Sequence, residues 1–322
     1  MAEELKCIEK WSFRIRELQI GAGKEEGGTR EITFKVGHQA TLPYLFKEGE
    51  IPHRPIIAAE VFDSSVDDWP QSLSEALGSV LKEPVDWAVK MVEELGADTV
   101  CLKLQGIHPD FGNRPAKDAV ALVRSVLKKI KTPPIILGCG DQDKDNETLP
   151  LLSEATKGER LLFGDVVQDN YKTVTASCIA DGHNIITESP IDVNIAKQLN
   201  ILVSDLGMPL DRIVINPTIG ALGYGLEYAY SIMERARLAS LAGDKMLAMP
   251  FICFVGQESW RAKEAKASES DFPLGGDSRE RGITWEVVTA MAMIHAGADI
   301  LTMRHPKAIK IVKAAIDDLM KK

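Results

Sequence analysis

The sequence predicts an α/β fold, a (β/α)8 TIM barrel with an N-terminal extension, on three observations. From Pro55 onward, short apolar runs alternate with segments whose apolar residues recur every three or four positions. Each run is continuous rather than alternating, as a parallel strand buried on both faces requires. The runs number eight: Ile56–Val61, Thr99–Leu104, Ile135–Leu137, Arg160–Phe163, Asn184–Thr187, Arg212–Ile215, Pro250–Val255 and Asp299–Met303. Eight βα units in series fit a closed barrel. An open doubly wound sheet is the alternative, because strand count alone does not show closure.

The helices between the strands follow from apolar stripes. Val85, Ala88, Val92 and Leu95 line one face after Pro84, with Gly96 beyond the end; Val120, Val123, Leu127 and Ile130 line another after Pro115. Segments near Glu147–Ala155 and Gln168–Ala180 give the third and fourth helices. Ile191, Ile195, Leu199, Leu202 and Leu206 give the fifth, with Ser189-Pro190 as its start and Gly207 as its stop. Leu226, Ala229, Tyr230, Met233 and Ala236 form the sixth stripe, and Ile309, Val312, Ile316 and Leu319 the last, after Pro306. Proline at the first turn and glycine past the last turn is the asymmetry that helix ends favour. Residues 1–54 stand outside the repeat: a polar, glycine-rich turn (Gly21–Gly28) and an alternating strand at Ile32, Phe34 and Val36 read as a hairpin-like extension packed on a barrel of residues 55–322. A charged, loop-like insertion, 257–281, follows the seventh strand and carries one Trp. It reads as a solvated lid or, if the Trp is exposed, as a partner-binding surface.

Composition narrows the function. At 322 residues, 45% hydrophobic and 26% charged, the chain can bury a large core. Its net charge of −9 argues against nucleic acid as a partner, since phosphate binding needs clustered positive charge. No apolar run approaches a membrane span and MAEELKCIEK lacks a signal-peptide core, so the expectation is a cytoplasmic protein with no membrane partner. Five widely spaced cysteines (Cys7, Cys101, Cys139, Cys178 and Cys253) do not form a disulfide framework, and without a C-x-x-C they support neither a zinc site nor an iron–sulfur cluster held by this chain. Cys101, Cys139 and Cys253 read as core hydrophobes.

In a barrel, function sits at the carboxyl ends of the strands. Those ends supply Glu60, Asp63, Lys103, Gln105, Gly138 to Asp141, Asp165, Glu188, Asn216, Thr218, Gln257, Glu258, Arg304 and His305. The carboxylates serve acid–base chemistry if their environments push their proton affinities apart, or cap helices and stay ionised. His305, ahead of Pro306, reads as structural. No metal-ligand spacing and no nucleophile–base set is present, so neither catalytic residues nor metal ligands are assigned. The densest feature is Arg212–Gly225, RIVINPTIGALGYG: a strand running into a loop with glycines at 220, 223 and 225 and then a long helix. Such a loop lets main chain approach a large flat ligand, or makes a tight βα turn. The mouth reads as broad, glycine-lined and short of committed catalytic groups.

The run INPTIGALGYGLEYAYSIMERARLASLAGDKMLAMPFICFVGQESW, with GHQATLPYLFKEGEIPHRPIIAAEVFD (Gly37–Asp63) and GADILTMRHPKAI (Gly297–Ile309), resembles the small subunit of the corrinoid iron–sulfur protein. That subunit is also known as the delta subunit of the acetyl-CoA decarbonylase/synthase complex. The resemblance implies a barrel paired with a larger subunit that carries a [4Fe–4S] cluster and most of a corrinoid (cobamide). It implies a heterodimer that accepts methyl from methyltetrahydrofolate or a related pterin, through its corrinoid methyltransferase, and delivers it to acetyl-CoA synthase in the reductive acetyl-CoA pathway. On this reading the chain is a carrier subunit without independent catalysis. The residues expected to face the shared corrinoid are Asn216, Thr218, Gly220 and Gly223, with Tyr224 and Gly256 beside them. A self-sufficient pterin-dependent methyltransferase barrel, using Asp141, Asp165 and Asn216, is the rival reading, although the N-I-T-P-D-S-F and D-P-G signatures of pterin-binding barrels are absent. A scaffold that touches no cofactor is the third.

Overall fold

A computed structural model of the chain describes residues 8–321. Eight parallel strands form the barrel: β3 (Ile56–Phe62), β4 (Thr99–Lys103), β5 (Ile135–Leu137), β6 (Leu162–Val166), β7 (Asn184–Glu188), β8 (Ile213–Asn216), β9 (Ile252–Cys253) and β10 (Ile300–Met303). They lie in the order β8-β7-β6-β5-β4-β3-β10-β9, and a parallel bridge between Ile215 and Phe251 joins the two ends. The sheet therefore closes, and the open alternative is set aside. β6 lies two residues further along than its apolar run suggests, because Gly164 pairs with Leu137 and carries the strand through Asp165 to Val166. β9 is correspondingly short, since a helix begins at Val255.

Alternation along each strand sorts side chains between two cores. Ile56, Ala58, Cys101, Ile135, Leu137, Leu162, Ile186, Val214, Ile252 and Ile300 fill the barrel interior, while Ile57, Ala59, Val61, Val100 and Leu102 pack outward against the helices. The helical layer comprises α1 (Gln71–Leu77), α2 (Pro84–Glu93), α3 (Ala116–Lys129), α4 (Gln142–Ala155), α5 (Tyr171–Asp181), α6 (Val193–Asp205), α7 (Leu226–Leu241), α8 (Val255–Arg261), α9 (Lys263–Lys266), α10 (Ser278–Ala296) and α11 (Pro306–Leu319). α6 begins later than Ser189-Pro190 suggests: Asp192 caps it, accepting hydrogen bonds from the backbone of Asn194 and Ile195. Cys101, Cys139, Cys178 and Cys253 are free and buried; Cys7 lies outside the described residues.

The N-terminal extension forms an antiparallel pair, β1 (Glu17–Ile20) with β2 (Phe34–Gly37), and its buried Leu18, Ile20 and Val36 join the barrel-interior core. It closes the end of the barrel opposite the strand carboxyl termini. Ile32 lies before β2 and is exposed rather than packed. The insertion departs most from expectation. Its first part is helical (α8 and α9), and Trp260 is only 2% exposed, its ring packed against Gly282 of α10 and its Nε1 donating to the buried Glu286 at 2.9 Å. The Trp anchors the segment inward, so it offers no exposed partner contact.

Candidate functional site

The strand carboxyl ends surround a cavity of about 250 Å3 lined by Lys103, Asp165, Glu188, Asn216, Phe254 and Gln257, among others. Two charge systems meet there. On the β3–β4–β10 side, Glu60 is wholly buried; its Oε1 lies 3.2 Å from Lys103 Nζ, its Oε2 accepts from Arg304 Nε, and Thr302 Oγ1 donates to it at 2.9 Å. Burial raises a carboxyl's proton affinity, but the charges of Arg304 and Lys103 overcome that here and hold Glu60 down at about 2. Phe62 and Trp69 flank the Arg304 guanidinium, 5.3 and 5.0 Å from their ring centres. Lys103 Nζ also donates to Gln257 Oε1 at 2.5 Å, which ties α8 to the cavity.

On the β6–β7–β8 side the balance reverses. Burial and the neighbouring Glu188 charge push Asp165 well above the ordinary carboxyl range. Burial likewise raises Glu188, against the lowering hydrogen bonds from Thr218 and Asp165. The two carboxyls titrate as one pair whose proton affinity is raised. Neither caps a helix: the cap of α5 is Asn170 and that of α6 is Asp192. Of the two roles open to strand-end carboxylates, that of ionised helix caps is therefore excluded for this pair, since burial beside each other disfavours two negative charges. Asp141, by contrast, does cap α4, accepting from Lys144 N, and His305 caps α11, accepting from Lys307 N at Nδ1. Beside it, Glu286 accepts from the backbone N–H of Arg304 and His305 and from Trp260, yet burial still raises it to about 7.

Of the six residues expected to face a flat ligand, Asn216 and Thr218 line the cavity. Gly220, Gly223 and Tyr224 lie beyond it on the loop between β8 and α7, and Gly256 lies within α8. Gly220 serves the loop itself: a Cβ there would collide with the carbonyl of Tyr224. Gly256 lets α8 pack on the end of β10, where a Cβ would meet Arg304 at 2.9 Å. Gly223, at φ +78°, faces open space. Trp285 Nε1 donates to Leu222 O at 2.9 Å, Thr289 Oγ1 accepts from Leu222 N at 3.2 Å, and Tyr224 Oη donates to Glu264 at 2.7 Å. The loop is thereby held on α10 and α9. Lys103, Asp165 and Glu188 are all found by the strand-end rule, but only Asp165 carries a binding role in the sequence, as a contact in the rival pterin reading; nothing local marks Lys103 or Glu188.

The comparisons place this geometry in a family. The family described as CO dehydrogenase/acetyl-CoA synthase delta subunit matches residues 17–314. The chain belongs to that family. It is 35% identical over 305 residues to the acetyl-CoA decarbonylase/synthase complex subunit delta of Methanopyrus kandleri, covering 94% of this chain and 74% of that one. To the subunit delta of Archaeoglobus fulgidus it is 36% identical over 322 residues, covering 97% and 70%. Among solved structures it is similar to the dihydropteroate synthases of Xanthomonas albilineans (TM-score 0.56, 13% identity, 86% of this chain and 97% of that one) and Vibrio fischeri (TM-score 0.56, 11% identity, 85% and 96%). At that identity the likeness is one of fold, and it agrees with the barrel. A delta subunit belongs to a multi-subunit complex, which implies partner subunits. Among the described residues no helix is long and apolar enough to cross a membrane, and no group of three or more His, Cys, Asp or Glu is placed to hold a metal ion.

Proposed function

We propose that the chain is the barrel subunit of a two-subunit methyl carrier, in which a larger partner holds a corrinoid and a [4Fe–4S] cluster. In this reading the carrier takes methyl from methyltetrahydrofolate or a related pterin and gives it to acetyl-CoA synthase, and this chain covers the reactive face. When bound, the corrinoid supplies the nucleophilic cobalt that takes up and releases the methyl group.

The observation that carries the reading is the rim loop after β8. Its hydrogen bonds to α9 and α10 fix its shape, and Gly223 presents bare main chain to open space. Tyr224 and Tyr228 beside it are 46% and 65% exposed, a flat apolar flank of the kind a macrocycle can cover. The chain's own residues suit covering rather than ligating. The His305 ring is stacked on Trp260 and its Nδ1 is taken by Lys307 N, while His108 Nδ1 accepts from Asp110 N, so both mouth-side imidazoles already have partners. What the rim would contribute is exclusion of water and a surface that each partner enzyme displaces in turn.

The test is to produce the chain alone and together with its large partner and record visible spectra. Corrinoid absorbance only in a stable pair is the expected result. A coloured chain on its own, or no pair at all, would overturn the proposal.

A further inference from the structure

We infer that Leu274, on the loop between α9 and α10, is a docking knob for an apolar socket ringed by lysine or arginine on the large partner subunit. It holds the pair together whether or not the corrinoid is bound. That role rests on the two-subunit reading above and deepens it by naming a contact outside the covering rim. Trp260 faces inward and meets no partner; the outward contact of the insertion comes further on, at Leu274. The loop, residues 267–277, stands at the carboxyl end of the strands, because α10 enters there. Glu280 in the first turn of α10 accepts from Lys307 Nζ at 2.6 Å, and Lys307 lies in the first turn of α11, directly after β10. Leu274 sits on the single turn Pro273–Gly275 and is 95% exposed, more than any other large apolar side chain among the described residues.

A single exposed Leu is ordinary on a loose surface loop. This loop is built differently. Arg281 of α10 is buried against it, and a guanidinium has five N–H groups to satisfy. It makes five hydrogen bonds, all to main-chain carbonyls. Nε donates to Gly275 O at 2.9 Å, Nη1 to Ala267 O at 2.9 Å and Glu264 O at 3.3 Å, and Nη2 to Gly276 O at 2.8 Å and Phe272 O at 3.3 Å. The guanidinium also lies 5.1 Å from the centre of the Phe272 ring. Gly275 is required in this arrangement, since a Cβ there would collide with Arg281 and Phe272. A charge withdrawn from water is tolerated only while its hydrogen bonds are met, so the loop cannot change shape without stranding Arg281. Leu274 is therefore held out in one position, and a side chain fixed in advance loses little freedom when a partner covers it.

The surroundings give the chemistry of the partner. Glu269, Asp271 and Asp277 are exposed around Leu274, with Arg279 as the one exposed cation nearby. An apolar centre inside a polar ring is how docking anchors are made, and an acidic ring matches a basic one opposite. A second copy of this chain fits poorly, because its own loop carries the same acids and its net charge is −9. Continuity points to the large subunit. Glu264 joins the loop to the covering rim: its carbonyl accepts from Arg281 and its carboxylate from Tyr224 Oη at 2.7 Å. A partner seated on the rim thus meets Leu274 as well. Leu274 does not line the mouth cavity, and Arg281 rather than the rim fixes its loop. The knob can therefore stay seated while the rim opens for each partner enzyme.

The experiment is calorimetric titration of the full chain with the large subunit, prepared once without corrinoid and once loaded. Leu274→Asp should weaken the pair about 30-fold or more in both states. Leu274→Met, which keeps the knob apolar, should cost less than about threefold. Asp271→Lys should weaken the pair in the same direction, and wild-type affinity should fall as salt is raised. The urea midpoint of Leu274→Asp should match that of the wild type, because the side chain packs on nothing within the chain. Full affinity of Leu274→Asp in both states would overturn the inference and leave the covering role standing. A loss confined to the loaded state would also overturn it, by assigning Leu274 to the cofactor's cover. So would a dimer of the chain alone, seen by sedimentation, that Leu274→Asp dissolves, since a second copy would then fill the large subunit's place. No pair between the wild-type subunits would remove both readings together.

Discussion

The two halves of the barrel mouth both withdraw carboxyls from water, Glu60 wholly and Asp165 and Glu188 in part, and treat them oppositely. Glu60 on β3 and the Asp165–Glu188 pair on β6 and β7 all sit at strand ends around one cavity. Two cations meet Glu60, which stays ionised down to about 2, whereas burial raises Asp165 and Glu188 above the ordinary carboxyl range, the Glu188 charge adding to the rise at Asp165, and Lys103 offsets this only in part. Burial alone therefore does not set protonation here. The neighbouring charge does, and it separates a structural ion cluster from a carboxyl pair of raised proton affinity.

The comparison breaks most visibly if Glu60 is neutralised. Glu60→Gln leaves Lys103 and Arg304 buried without their shared anion and should lower stability by about 3–5 kcal/mol, read from urea denaturation at pH 7. A loss below about 1 kcal/mol would mean that Gln257 and the aromatic faces of Phe62 and Trp69 suffice for the two cations. In the wild type, the contribution of Glu60 is present above the ordinary carboxyl range and fades as pH falls toward about 2.

A smaller effect of opposite sign sharpens the contrast. The folded chain keeps a proton on the Asp165–Glu188 pair that the unfolded chain gives up in the ordinary carboxyl range, so the pair's contribution to stability declines as pH rises above that range. Asp165→Asn should flatten this part of the pH profile while leaving the acid limb of Glu60 intact. Urea midpoints measured across the pH range for both proteins check it, and an unchanged slope would remove the proton from the pair.

How much of this could be read from the sequence divides along the same line. The strands were legible because burial on both faces writes continuous apolar runs, and Asn216 and Thr218 were legible because they close the clearest of those runs at β8. The fate of Asp165 was not, since it depends on a neighbour one strand away and on Lys103 being claimed by Glu60, from a different βα unit. The inward anchoring of Trp260 is hidden from the sequence for a related reason. Its local surroundings, QESWRAKEAK, are charged, and the carboxylate that receives its N–H is Glu286, 26 residues further on. Local pattern reports which element a residue belongs to; the partner that fixes its chemistry comes from the closed barrel. Gly220 shows the limit from the other side, because the spacing of glycines marked a special loop without showing that the close approach is to the loop's own backbone.

The most direct measurement of the covering role is hydrogen–deuterium exchange on the assembled pair, with and without its corrinoid. Peptides spanning 216–226 and 255–261 should exchange more slowly when the corrinoid is bound, with residues 17–37 at the opposite end of the barrel unchanged. Slowing confined to surfaces away from the strand carboxyl ends, with 216–226 indifferent to the corrinoid, would contradict it.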